Sequence, residues 1–246
     1  MSESIVITSA TRTAVGSLGQ SLKNIPGDEL GSVVISEAIN KSKLKKDDID
    51  EVIMGQVLTG GTGQNPARQA AMRCGIAKEK PAYVVNQVCG SGIRSVASAY
   101  QSIKSGDSKI VIAGGQENMS LAPHAIHLRN GKKLGDTHAV DTMIKDGLWD
   151  AFNNYHMGVT AENVATKFQI TRAEQDKFAL NSQEKAFKAI KDNKFKDEIV
   201  SLKIKSKKSE INFDKDEHPR DGVNMEILGK LKPVFQKDGT VTAGNS

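Results

Sequence analysis

Cysteine and aromatic residues are both scarce in this chain. Two cysteines, Cys74 and Cys89, occur in 246 residues. That is too few for a disulfide framework and suits a reducing cytoplasm. No Cys/His cluster has the spacing of a zinc site, so no metal is expected. Aromatic residues make up 4% of the chain, which leaves little for nucleic-acid bases to stack on. Long apolar runs are missing as well. No uninterrupted run reaches the roughly eighteen residues of a membrane span. The first residues lack the basic-then-apolar order of a signal peptide. There is no internal repeat and no low-complexity tract.

What is present is the composition of an ordinary globular protein, 38% hydrophobic and 26% charged. The length allows one large domain or two small ones. The net charge of +5 is compatible with nucleic acid or with an anionic small molecule such as a phosphorylated cofactor. Lys185, Lys188, Lys191, Lys194, Lys196, Lys203, Lys205, Lys207 and Lys208 crowd one segment. Without aromatic interleaving, they read as a solvated face.

Residues 4–118 alternate between strand-like and helix-like patterns. Residues 4–9, 50–58, 82–88 and 109–113 are short apolar runs that predict strands. Residues 28–40 and 92–105 carry helical periodicity, and Gly106 stops the second. Asn65-Pro66 opens a helix that Gly75 closes. Such alternation predicts a mostly parallel sheet with helices on both faces. Ligands bind such sheets beyond the carboxyl ends of the strands. Residues 121–156 are irregular and hold four of the five histidines. A helix is expected over 159–168. Thr171 and Glu174 form a capping box for another, running to about residue 192. Residues 198–205 alternate like a half-exposed strand, 207–222 read as a charged loop, 225–231 as a short helix, and 239–246 as the start of a strand.

Cys89 stands out among the chemically capable residues. In Asn86-Gln-Val-Cys89-Gly-Ser-Gly92 it sits between a predicted strand and a predicted helix. The first N–H groups of a helix lack partners and, with the helix dipole, favour an anion such as a thiolate. A buried, inert cysteine is the commoner situation. Gly90, Ser91 and Gly92 argue against it, because such poor helix formers are tolerated where backbone approaches a ligand. Cys74 has no comparable setting and reads as structural. The Gly114-Gly115 pair lacks the spacing of a phosphate loop and reads as tight packing beside the Cys89 turn. His156 and Met157 precede a helix, and His156 is open to either a structural or a pocket-lining role. His124, His127 and His138 carry no assigned chemistry. Asp146, Glu162 and Asp221 read as surface or capping residues.

Six ordered motifs resemble the thiolase family, nearest to its biosynthetic acetyl-CoA acetyltransferase (acetoacetyl-CoA thiolase) branch. They are Ser9-Ala-Thr-Arg-Thr-Ala-Val-Gly16, Gly63-Gln-Asn-Pro-Ala-Arg-Gln-Ala70, Asn86-Gln-Val-Cys-Gly-Ser-Gly92, Ala113-Gly-Gly-Gln-Glu-Asn-Met-Ser120, His156-Met-Gly-Val-Thr-Ala-Glu-Asn163 and Gly239-Thr-Val-Thr-Ala-Gly-Asn245. Ala14 departs from the proline usual in the family. The resemblance implies an acyltransferase that condenses two acetyl-CoA into acetoacetyl-CoA and CoA, or runs the reverse thiolysis, through an acyl-Cys89 intermediate. It implies that the Cys89 N–H faces an oxyanion, and that His156 and Met157 line the pantetheine and acyl end of a tunnel. Leu148, Arg220 and Ala243 would contact CoA, with Arg220 at the nucleotide end. CoA thioesters would be substrates, and no cofactor is implied.

The resemblance further implies an α/β, thiolase-like amino-terminal half with an inserted α/β loop domain. The expected divisions are 1–118 for the first domain, 119–240 for the loop domain and 241–246 for a segment returning to the first. Family members are far longer. Their second half supplies asparagine- and histidine-bearing motifs and a second cysteine that acts as general base. The chain therefore reads as the amino-terminal portion of a cytoplasmic enzyme of fatty acid metabolism. A homodimer or homotetramer is expected at full length, with contacts from 60–72 and 121–145 and with neither nucleic acid nor membrane as a partner. The alternative is a catalytically inactive thiolase fragment acting only as an interaction or remnant module.

Overall fold

A computed structural model describes residues 4–205 and 210–246. Lys207 and Lys208 of the basic segment, the first residues of the expected charged loop, and residues 1–3 lie outside the described residues. The first elements are β1 (Arg12–Thr13), α1 (Gly27–Ser42), β2 (Glu51–Gly55), α2 (Pro66–Arg73), β3 (Ala82–Val85), α3 (Ser91–Ser105) and β4 (Val111–Gly115). Short pieces follow: β5 (His124–Ala125), β6 (Val140–Asp141), a π-helical turn at Met143–Leu148, β7 (Trp149–Asp150) and β8 (Tyr155–His156). The chain continues with α4 (Met157–Lys167), α5 (Arg172–Lys191), β9 (Ile199–Val200), β10 (Leu202–Lys205), β11 (Glu210–Phe213) and α6 (Met225–Gly229). Packing divides the chain into Met1–Met143 with Asp197–Asp216, and Ile144–Lys196 with Glu217–Ser246. These cuts fall at other positions than the divisions after residues 118 and 240.

In the first unit β2 lies between β3 and β4, and all three strands are parallel. Side chains alternate across a strand. Val52 and Met54 turn to one face and pack with Ile35 and Ile39 of α1 and with Ala67, Ala70, Ala71 and Cys74 around α2. Burying each of the larger side chains contributes about 1.5–3 kcal/mol. Gly55 turns to the other face, against the start of α3. A Cβ there would lie 2.5 Å from the Ser91 carbonyl carbon and 2.7 Å from the Gly92 nitrogen. The Ser95 hydroxyl lies 2.7 Å from the carbonyl oxygens of both Gly92 and Gly114, tying α3 to β4. Helices thus cover both faces of a parallel sheet. Local chemistry sets their ends. The Asn65 side chain accepts the Arg68 N–H and Pro66 fills the first turn of α2. Gly106, at φ +86°, closes α3.

In the second unit Thr171 and Glu174 cap α5 reciprocally, as their spacing predicts. Asp176 is buried and pairs with Arg172, whose guanidinium also donates to the carbonyls of Leu228 and Leu231. The Asn245 amide donates to Asp176 as well.

Five expectations need correction. Residues 4–9 form no strand: Val6 and Ile7 are 70% and 80% exposed. A strand needs a partner's backbone. Ile7 and Ser9 instead line, with residues 112–115 of β4, a groove of about 480 Å³. Residues 239–246 form no strand either, because the N–H groups of Thr240 and Val241 donate to Glu162 and that of Thr242 to Asn245. The run 198–205 splits: β9 pairs in parallel with β1, and β10 pairs antiparallel with β11. β11 lies inside the expected charged loop. Its inward Phe213 joins a cluster with Ala14, Leu22, Leu30 and Leu202. Finally, Glu162 is not a surface residue. It is 4% exposed and its carboxylate accepts from the Thr240 N–H and hydroxyl and from the Val241 N–H.

Two substitutions test this packing. Gly55→Ala places a methyl against backbone that cannot rotate away, and a loss of about 1–3 kcal/mol in urea denaturation is expected. Unchanged stability would show that α3 is free to shift. For Glu162, burial alone would raise the carboxyl, but the bonds from Val241 and Thr240 together bring it below its ordinary value. A depressed folded value means its contribution is fully present above the unfolded value and is lost as pH falls through the folded one. Glu162→Gln is therefore expected to cost about 1–3 kcal/mol at neutral pH. The gap to wild type should close as denaturation is repeated at pH below about 4.

Candidate active site

Cys89 follows the carboxyl end of β3 by four residues and precedes the first residue of α3 by two. Its side chain is exposed. The turn is held by backbone bonds from Gly90 N–H to the Gln87 carbonyl (3.1 Å) and from Ser91 N–H to the Val88 carbonyl (3.0 Å). A Cβ built at Gly92 would meet nothing within 4 Å, so space is open beside the thiol's helix turn. Gly115 packs against that turn, its hypothetical Cβ 3.6 Å from the Gly92 Cα. Just beyond it, Glu117 accepts the Val57 N–H at 2.7 Å and the Leu58 N–H at 3.3 Å. Burial pushes the Glu117 carboxyl up against the opposing pull of those two donors.

The two cysteines differ physically. Cys74 is 5% exposed, packed in the α1–α2 cluster, with its Sγ 3.1 Å from the Ala71 carbonyl oxygen. Burial pushes its thiol up. Of the two thiols, Cys89 is the one open to a reagent from solvent.

The other candidates belong to the second unit. Leu148 is half-buried at the end of the π-helical turn, directly before β7, whose Trp149 is paired with His156 of β8. His156 Nδ1 accepts the Gly158 N–H at 3.0 Å and so caps α4, leaving Nε2 as the ring nitrogen that bears hydrogen in the neutral form. Its ring stacks on Phe235 with centroids 4.9 Å apart. Met157 follows it and is exposed. Arg220 is exposed and is placed by its backbone N–H, which donates to the Gln183 side chain of α5. Ala243 is exposed in the turn that Asn245 and Thr242 close. Phe235 carries no local sequence signal, because its contact with His156 spans almost eighty positions. Ser91 is buried and hydrogen-bonded, a role that its low helix propensity does not reveal. Among the described residues no group of three or more His, Cys, Asp or Glu is placed to hold a metal ion, and no helix is long and apolar enough to cross a membrane.

The model of the thiolase amino-terminal domain matches residues 5–246. The chain belongs to the thiolase family. Among its relatives is an acetyl-CoA acetyltransferase of Rhizobium meliloti (strain 1021), 54% identical over 243 residues, covering 99% of this chain and 62% of the relative. Another from Paracoccus denitrificans is 55% identical over 241 residues, covering 98% and 62%. The crystal structure of the Bacillus anthracis acetyl-CoA acetyltransferase superposes with a TM-score of 0.95 at 40% identity, covering 98% of this chain and 61% of that one. The chain thus spans about 62% of the length of the curated relatives it matches. An α/β thiolase amino-terminal half is the fold of these residues.

The contrast between the two thiols is directly measurable. In the folded protein, iodoacetamide should modify Cys89 and spare Cys74, and both should react after denaturation. Modification of Cys74 at the rate of Cys89 under native conditions would contradict the packing of α1 on α2.

Proposed function

We propose that Cys89 is the acyl-accepting nucleophile of an acetyl-CoA acetyltransferase of the thiolase type. The observation that carries this is an exposed thiol at the start of α3, with open space at Gly92 beside it. Membership of the thiolase family, and the activity for which its relatives are named, support the substrate class. In the first half-reaction Cys89 Sγ bonds to the thioester carbonyl carbon, the carbon–sulfur bond to CoA breaks, and CoA leaves as its thiol, taking the proton. The Cys89 N–H stabilises the oxyanion between those events. In the second, a base removes a methyl proton from another acetyl-CoA. The resulting carbanion bonds to the acyl carbon, and the Cys89 thiolate is released with acetoacetyl-CoA formed. Thiolysis is the same path reversed.

His156 and Met157 would line the pantetheine and acyl end, Leu148 and Ala243 would contact CoA, and Arg220 would meet its phosphates. The base of the condensing step is proposed to come from outside these 246 residues. The one other thiol, Cys74, is closed inside a hydrophobic cluster. A cytoplasmic homo-oligomer is the setting proposed, in keeping with two unpaired cysteines.

The test is incubation of the chain with acetyl-CoA. A gain of one acetyl group, mapped to Cys89 and abolished in Cys89→Ser, is expected without acetoacetyl-CoA being formed. Acetylation at Cys74, or none at all, would sink the nucleophile assignment and favour a non-catalytic module. Condensation by the chain alone would place the base within it.

A further inference from the structure

We infer that Ser91 is a positioning residue for Cys89: its buried hydroxyl locks the turn over residues 87–91 in the strained form that presents the thiol. This rests on the reading of Cys89 as nucleophile. The strain is at Val88, whose φ of +50° is the left-handed region, which a β-branched residue strongly disfavours. Its side chain is 49% exposed, so burial does not impose the conformation. Hydrogen bonds do. The Val88 N–H donates to Asn86 Oδ1 at 2.9 Å. The Val88 carbonyl accepts the Ser91 hydroxyl at 2.6 Å, in addition to the Ser91 N–H. The same hydroxyl oxygen accepts the Gln87 N–H at 2.8 Å.

Ser91 Oγ therefore spends its only proton and a lone pair on the two residues immediately before Cys89. Its position is fixed from behind, because Gly55 leaves no gap between β2 and the first turn of α3. At 4% exposure it has no face for a ligand, so it acts through the turn and not on substrate. Without the hydroxyl, Gln87 N–H loses its acceptor and Val88 one of two donors. Val88 then relaxes toward negative φ. The peptide that joins it to Cys89 rotates, and both the thiol and its N–H leave the position set by α3.

The experiment measures the rate of Cys89 alkylation by iodoacetamide at fixed neutral pH, with peptide mapping, in the full chain. In this reaction Sγ displaces iodide and the thiol proton passes to buffer. Ser91→Ala is expected to slow alkylation by about tenfold, on the scale of one strained backbone residue. Ser91→Thr, which keeps a hydroxyl, is expected to restore it. Val88→Gly added to Ser91→Ala is expected to bring the rate back to within about threefold of wild type, because glycine adopts positive φ freely. Protection of Cys74 reports that each variant is folded. If Ser91→Ala alone does not fold, the Ser91→Thr and double variants still decide the matter. A folded Ser91→Ala that reacts like wild type overturns the inference, and so does a folded double variant as slow as Ser91→Ala. Failure of wild-type Cys89 to react overturns the nucleophile reading itself and takes this inference with it.

Discussion

The contact on which the first unit depends is backbone against backbone. The carboxyl end of β2 meets the first turn of α3 at Gly55, closely enough that a methyl would overlap the Ser91 carbonyl. Everything useful about Cys89 descends from that approach. It lets α3 begin directly over the sheet and fixes Ser91 while its hydroxyl reaches back to Gln87 and Val88. Ser95 repeats the theme one turn later, spanning from its own helix to the Gly114 carbonyl. Gly55 is therefore a spacing element, and the first turn of α3 is seated on the sheet with almost no slack.

The second unit is organised by a different kind of interaction. Its irregular tail is held by side-chain oxygens substituting for a sheet partner. Glu162 gathers the N–H groups of Thr240 and Val241, and Asp176 joins Arg172 to Asn245. A buried carboxylate that accepts several donors is worth more than its single contacts suggest, since removal of the acceptor leaves buried N–H groups without partners. His156 belongs to the same logic: its Nδ1 is occupied as a helix cap and its ring is stacked on Phe235, so its orientation is set by the fold.

What could be read from the sequence was whatever has a local cause. The Asn65-Pro66 start of α2, the Thr171/Glu174 box and the Gly106 stop are decided within a few residues, and each stands where its pattern puts it. Cys89 was conspicuous for the same reason, being flagged by its immediate neighbours. Strands are different, because their definition includes a partner. Residues 4–9 and 239–246 have strand composition but no ladder among the described residues, whereas β11 found one despite its charged surroundings. The burial of Glu162, the stack on His156 and the clamp at Ser91 each depend on groups brought together by folding. Composition at those positions carried no sign of them.

The tight seating of α3 on β2 also bears on how this site tolerates change. A reactive group on a loop can be tuned by altering the loop, and damage stays local. Here the thiol shares a rigid frame with the interior of the sheet, so a buried volume change distant from solvent is transmitted to the reactive atom. Variation that preserves chemistry must then be sought on the outer faces of α1 and α2. On the proposed reading of Cys89 as nucleophile, the interior around Gly55 bears on the reacting thiol without ever touching a substrate.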